Sequence, residues 1–215
     1  MKAFLSALHS SIALTLIFLF ALCAAYPLAV WAAGQAVFHD RANGSLVVDA
    51  DGTVRGSRLL AQNFSEEKYF QPRPSAAGAG YDAANSGGSN LGPTSAKLAL
   101  GIHASDTHGR SVDDLNNFDG IADLIRAYRT INQLDANSPV PADGVTRSAS
   151  GLDPHISLAN AQIQARRVAR VRGLSLDRVI SLITANTDGP DLGFLGEPGV
   201  NVLLLNRALD NPNVH

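Results

Sequence analysis

Ser148, Ser150, Asp153 and His155 fall within one short segment, SASGLDPH, so a hydroxyl, a carboxylate and an imidazole arrive close together in the chain. Nucleophilic hydrolases use those three groups, with the imidazole taking the hydroxyl proton and the carboxylate orienting the imidazole. Neither serine stands in a G-x-S-x-G elbow, and triad members ordinarily come from separated segments. Asp153-Pro154-His155 therefore reads as a turn leading into a helix, with Ser157 as the N-cap. A second candidate is the Gly-rich run GAGYDAANSGGSNLGP, residues 78–93. Gly87 and Gly92 have the separation of a P-loop, and Thr94 stands where its hydroxyl residue would be. Pro93, however, occupies the lysine position and removes both the cation and a backbone donor. The six histidines (His9, His39, His103, His108, His155 and His215) are scattered, and with the single Cys23 they form no zinc-ligand spacing and no internal disulfide. Arg166, Arg167, Arg170 and Arg172 crowd one predicted helix. Such a run is ordinarily a solvated face, and its sharper use is docking to an acidic partner.

What positions these groups begins with a membrane segment. Between Lys2 and Asp40 the chain has no Asp, Glu, Lys or Arg, and the gap contains SIALTLIFLFALCAAYPLAVWAA, residues 11–33. About 20 apolar residues in a helix rise about 30 Å, enough to cross a hydrocarbon core. Tyr26 and Trp31 suit the headgroup belt, and Pro27 is expected to kink the helix without ending it. The segment reads as a retained anchor; the alternative is a cleaved secretory signal with Val30-Trp31-Ala32 before the cut. Lys2 favours a cytoplasmic N-terminus, residues 1–10, and either reading sends residues 34–215 outside. Over the whole chain, 17 Lys+Arg against 19 Asp+Glu give a formal net charge of −2, which offers no basic footprint for nucleic acid.

Beyond the span, residues 45–48 and 53–55 flank Asp51-Gly52 and predict a short β-hairpin. Residues 71–93 lack apolar periodicity and predict a long loop, functional or mobile. Helical spacing follows in residues 113–130, which carry Leu115, Phe118, Ala122, Ile125 and Tyr128 with Gly120 as a weak point. It returns in residues 158–172, and in 176–185 behind Ser175 as N-cap. Residues 200–209 read as a strand running into a short helix. Few short strands among longer helices make α+β the expected class: one N-terminal transmembrane helix, then a single extracytoplasmic domain over residues 34–215.

Seven stretches in order carry a resemblance to a known family. They are the span with Tyr26-Pro27, ANGSLV (42–47), RGSRLLAQNF (55–64), YFQPRPSA (69–76), SGGSNLGPT (86–94), SASGLDPHIS (148–157) and GFLGEPGVNVLLLNRALD (193–210). Together the chain resembles KdpC, the small C subunit of the bacterial Kdp potassium-pumping ATPase. Residues 103–119, rich in Asp, Asn and Gly, do not match that pattern and read as a lineage-specific insertion. The resemblance implies a non-catalytic subunit in the bacterial inner membrane, beside a channel-like, potassium-selective A subunit, a P-type B subunit and a small F subunit. ATP and Mg²⁺ would be handled by the B subunit, with K⁺ the transported ion. The chain has no D-K-T-G motif of its own, and one span cannot enclose a polar ion path.

The resemblance implies two roles. One is a catalytic chaperone that raises the ATP affinity of the B subunit; the triplet Ser86-Gly87-Gly88, with Ser89 where an ABC signature has Gln, would be its nucleotide element. The other is an extracytoplasmic cap that steadies assembly, and a body outside the membrane could influence ATP only through its partners. Gln62, Asn63, Arg73 and Ser75, set between Phe64 and Phe70, are expected either to contact a partner or to tie the loop to itself. Two other classes stay open: a membrane-anchored hydrolase using Ser150, Asp153 and His155, and a binding module using the 71–93 loop.

Overall fold

A run of apolar side chains without charge leaves the backbone as the only polar group, and a helix satisfies every interior backbone pair within the segment. The computed structural model, which describes residues 1–49, 51–102 and 117–210, accordingly holds one apolar helix over Lys2–Val37, 36 residues long and with none of it buried. At 1.5 Å per residue it rises about 54 Å, more than a hydrocarbon core requires. It consists of α1 (Lys2–Phe20), a π-turn (Ala21–Ala25) and α2 (Tyr26–Val37). The wide turn sits just before Pro27, which has no N–H to give to the preceding turn; Tyr26 N–H donates instead to Ala21 O, five residues back. The helix thus runs on through the proline, as its sequence predicts.

After the single turn α3 (His39–Ala42), β1 (Leu46–Val48) and β2 (Val54–Ser57) pair antiparallel with a bulge between Val47 and Val48. Gly52, at φ 82°, makes the turn, and the Asp51 carboxylate accepts from Thr53 N–H at 2.9 Å. Asp49 and Arg55 pair across the hairpin. These elements form a compact unit, Met1–Ser57, and Arg58–His215 forms another.

The second unit is mixed helix and strand, the α+β class expected. Its elements are α4 (Ala96–Leu100), α5 (Ile121–Asn132), α6 (Ala142–Val145), β3 (His155–Ser157), α7 (Leu158–Arg172), α8 (Leu176–Ala185), β4 (Thr187–Asp188), β5 (Gly199–Asn201) and α9 (Val202–Leu209). The three strands order β3-β5-β4, all antiparallel. α5 starts at Ile121, later than its periodicity predicts, because Gly120 is extended and its N–H is capped by the Asp123 carboxylate at 2.9 Å. Phe118 bridges Ile102 instead of joining the helix, and residues 103–116, including Leu115, His103, His108 and most of the inferred insertion, lie outside the described residues. Ser157, Ser175 and Asn201 cap α7, α8 and α9, each side chain accepting an N–H three residues on.

α7, α8, α9 and the strands close over one core, in which Phe70, Ile156, Val168, Val179, Ile183, Val200, Leu205 and Leu209 are all buried. Phe70 comes from outside any regular element. The segment around it, residues 67–75, has no strand partner, so its backbone polar groups must be met by side chains or water. Asn206 on α9 does this for Phe70: Phe70 N–H donates to Asn206 Oδ1 and Asn206 Nδ2 donates to Phe70 O, both at 2.9 Å. Gln164 on α7 does the same for Gln71, at 2.8 and 3.0 Å. Each amide side chain imitates one rung of a β-ladder.

Arg167 completes this clamp from a fully buried position. Its guanidinium donates to Asn132 Oδ1 at 3.0 Å, Tyr69 O at 2.9 Å, Gln164 Oε1 at 2.9 Å and, through a closer contact, Glu67 O. All four acceptors are neutral oxygens, and burial pulls the group below the ordinary guanidinium value. Arg172 clips Lys68 O, Leu209 O and the Asp210 carboxylate. The arginine run is therefore split: Arg166 and Arg170 are exposed, whereas Arg167 and Arg172 turn inward. Replacing Arg167 by Met would take this donor from the buried Asn132 amide and from the Glu67 and Tyr69 carbonyls and cost about 1–3 kcal/mol. Arg167→Lys would recover only part, since an ammonium cannot span the fork. Urea unfolding of the full chain in detergent micelles measures both.

Candidate functional site

Small residues allow backbones to approach closely, and the chain concentrates them in three places: Ser75-Ala76-Ala77, Ser86-Gly87-Gly88 and Ser148-Ala149-Ser150-Gly151. The fold brings the three together in one seam. Ser75 Oγ donates to Gly151 O at 2.7 Å and accepts from Ala77 N–H at 3.1 Å and Tyr81 N–H at 2.9 Å. On the other side of the serine loop, Ser86 Oγ and Gly87 N–H both donate to Ser150 O at 2.9 Å. Gly151, at φ 68°, has no room for a Cβ: Ala77 N and Gly87 O would each lie 2.7 Å from it. A Cβ on Gly88 would meet Ala149 O at 2.9 Å, whereas one on Gly87 would meet nothing within 4 Å.

Of the four residues expected as partner contacts or loop ties, Ser75 is this internal knot. Arg73 Nη1 donates to Asp153 Oδ2 at 3.1 Å, its carbonyl accepts from Tyr81 O–H at 2.9 Å, and its Nε is buried without a hydrogen-bond partner. Gln62 is half-buried and Asn63 exposed, so Asn63 is the most open of the four. The serine, aspartate and histidine of the 148–155 segment do not converge. Ser150 Oγ accepts from Leu152 N–H at 3.1 Å, Asp153 Oδ1 accepts from His155 N–H at 3.0 Å, and His155 Nε2 faces Asp188 Oδ2 at 2.9 Å. The first two are the bonds of successive side-chain turns leading into β3 and α7, and the third ties β3 to β4.

Of the nucleotide candidates, Gly88 and Ser89 line a cavity of about 470 Å³, and Gly78, Gly80, Lys97, Asp119 and Arg147 also line it. Lys97 Nζ lies 5.1 Å and the Arg147 guanidinium 4.2 Å from the Phe118 ring centre, and Arg147 donates to Asp119 O at 3.0 Å. Burial pulls Arg147 below its ordinary value. Two cations beside glycine backbone suit an anionic group, and the Asp119 carboxylate opposes one. Ser86 and Gly87 have turned their donors onto Ser150. No group of three or more His, Cys, Asp or Glu that could hold a metal occurs among the described residues.

Sequence reasoning overlooked a polar stripe. Asn160, Gln164 and Arg167 lie on one face of α7, and all are buried. Tyr128 O–H and Gln164 Nε2 donate to Asn160 Oδ1 at 2.7 and 2.9 Å, and Asp143 accepts from Ser157 N–H, Ser157 Oγ and Asn160 Nδ2. The i, i+4, i+7 spacing was the available signal, hidden because Arg167 sits within an arginine run.

Two tests follow from the seam. Gly88→Ala should destabilise by about 1–3 kcal/mol while Gly87→Ala changes stability by under about 1 kcal/mol, because only the first methyl meets backbone; thermal unfolding separates them. Burial pushes the Tyr81 phenol up to about 12. A raised phenol stabilises the folded chain in full below its unfolded value near 10, and that contribution is lost as pH climbs from there through about 12. An ultraviolet titration should show a late phenolate component that Tyr81→Phe reduces but does not abolish, because burial also pushes up the Tyr128 phenol.

The family model described as "KdpC: K+-transporting ATPase, c chain" matches residues 8–211. The chain is 50% identical over 185 residues to the potassium-transporting ATPase KdpC subunit of Mycobacterium tuberculosis (strain ATCC 25618 / H37Rv), covering 86% of this chain and 87% of that one. Identity is 51% over 185 residues to the KdpC subunit of Myxococcus xanthus, covering 86% and 78%. It is 46% over 207 residues to that of Nitratidesulfovibrio vulgaris (strain DSM 19637 / Miyazaki F), covering 96% and 94%.

Proposed function

Because the chain belongs to the KdpC family of K⁺-transporting ATPase c chains, we propose that it is a non-catalytic accessory subunit of an ATP-driven potassium uptake pump. It steadies the assembled complex and raises the ATP affinity of the subunit that hydrolyses ATP, acting indirectly. Residues 1–10 lie in the cytoplasm, 11–33 cross the bacterial inner membrane, and 34–215 fold outside. The partners are a potassium-selective channel-like subunit, a P-type ATPase subunit holding ATP and Mg²⁺, and a small fourth subunit. The observation that supports this most is the wholly unburied apolar helix Lys2–Val37. An apolar surface of that length needs lipid or other helices around it, and a single helix cannot itself line an ion path.

Gln62, Asn63, Arg73 and Ser75 are proposed as the margin that meets a partner, with Asn63 outermost and Arg73 and Ser75 holding the loop in shape from within. A second reading keeps direct nucleotide contact at Ser86, Gly87, Gly88 and Ser89. The cavity beside Gly88 and Ser89, with Lys97 and Arg147, favours it. A body outside the membrane would not meet cytosolic ATP, so sidedness separates the two.

Reconstituting the pump with and without this chain tests the proposal. Removing it should lower recovery of the complex and raise the KM for ATP by about fivefold or more, the range of an ordinary coupling free energy. An unchanged KM in an equally well-assembled pump would overturn the accessory role. In sealed vesicles, protection of the body on the ATP side would move the choice to direct contact.

A further inference from the structure

Apolar side chains at loop tips are ordinarily tucked inward, because each one left in water forgoes its burial energy. The ten-residue connection between β4 and β5, residues 189–198, does the opposite. Leu192 is 84%, Phe194 74% and Leu195 51% exposed. The backbone is built to hold them there. Asp191 and Leu195 exchange both N–H···O bonds at 2.9 Å, and Gly193 and Phe194 N–H donate to Pro190 O and Asp191 O at 3.1 and 3.2 Å. Leu192 itself is at φ 53°, the left-handed region that a leucine enters at a cost, followed by Gly193 at 83°. Strain and apolar exposure at the same residue both disfavour the isolated chain. The loop is anchored on β5, whose Val200 is fully buried in the core, so the tip is preorganised.

The charge around the tip narrows what covers it. Residues 189–198 carry Asp191 and Glu197 and no base. Two carboxylates beside the apolar side chains repel an anionic phospholipid surface and complement a basic rim. We propose that the Leu192–Phe194 tip is a docking peg that inserts into an apolar socket with a basic rim on another subunit of the same pump. This rests on the subunit reading above. Phe194 fills the socket, Leu192 and Leu195 seal its edge, and Asp191 and Glu197 fix the register.

The test uses the full chain co-expressed with its pump. With p-benzoylphenylalanine at position 194, illumination should cross-link it to one other pump subunit, identified by mass spectrometry, whereas the same group at exposed position 170 should not. The double variant Leu192→Ser, Phe194→Ser, which removes no buried contact, should keep its thermal unfolding midpoint and retain about tenfold less of the other subunits on affinity purification. A cross-link to phosphatidylglycerol or phosphatidylethanolamine, a cross-link to a second copy, or full retention by the double variant would each overturn the peg while leaving the subunit reading standing. Failure of the unsubstituted chain to retain any pump subunit would instead overturn the subunit reading, and the peg with it.

Discussion

The second unit depends on a single requirement: residues 67–75, a turn followed by irregular chain, must cross a helical surface with no strand to pair with. Backbone N–H and C=O groups buried there without partners would each cost a sizeable part of the protein's net stability. The chain meets the requirement with side chains. Arg167 holds the carbonyls of Glu67 and Tyr69, Asn206 closes both backbone groups of Phe70, and Gln164 closes both of Gln71. Only then can the Phe70 ring enter the core between the helices. The clamp is polar and directional, so it fixes one register of the strap where an apolar contact would tolerate sliding. An uncompensated buried cation is expensive, and the neutral oxygens around Arg167 are what make it admissible.

That register sets everything downstream of it. Arg73 reaches Asp153 and Ser75 ties Gly151, Ala77 and Tyr81 only because Phe70 and Gln71 are held in place. The Gly-rich loop is thereby pressed against the serine loop until Gly88 and Gly151 have no space for a side chain. Residue types that look like reaction chemistry in sequence are occupied as joints. The apolar 189–198 tip is carried on β5, whose Val200 is buried in the same core.

Much of this was legible in the sequence because it rests on local rules. The charge-free gap gave the long helix, Asp51-Gly52 the hairpin, Ser175 and Ser157 their caps, and the Val-Asn-Val boundary at residues 200–202 a strand turning into a helix. The mixed class followed from counting such signals. What stayed hidden is nonlocal. Neither Gln164 nor Asn206 announces that its amide will pair with backbone some 93 and 136 residues away. Arg167 sits among three other arginines, and composition alone assigns all four to solvent. α5 begins late because Gly120 interrupts a periodicity that otherwise runs through it. The seam was visible only as an excess of small residues, with nothing to say which glycine is packed and which is free.

Hydrogen exchange at the amides of Phe70 and Gln71 tests the clamp most directly. If side chains replace a sheet partner as described, both amides exchange slowly, with protection close to that of the core amide of Val168 on α7, despite lying outside any helix or strand. Exchange at the rate of an unstructured loop, with the helices still protected, would show the strap to be loosely laid on the surface and would contradict the account.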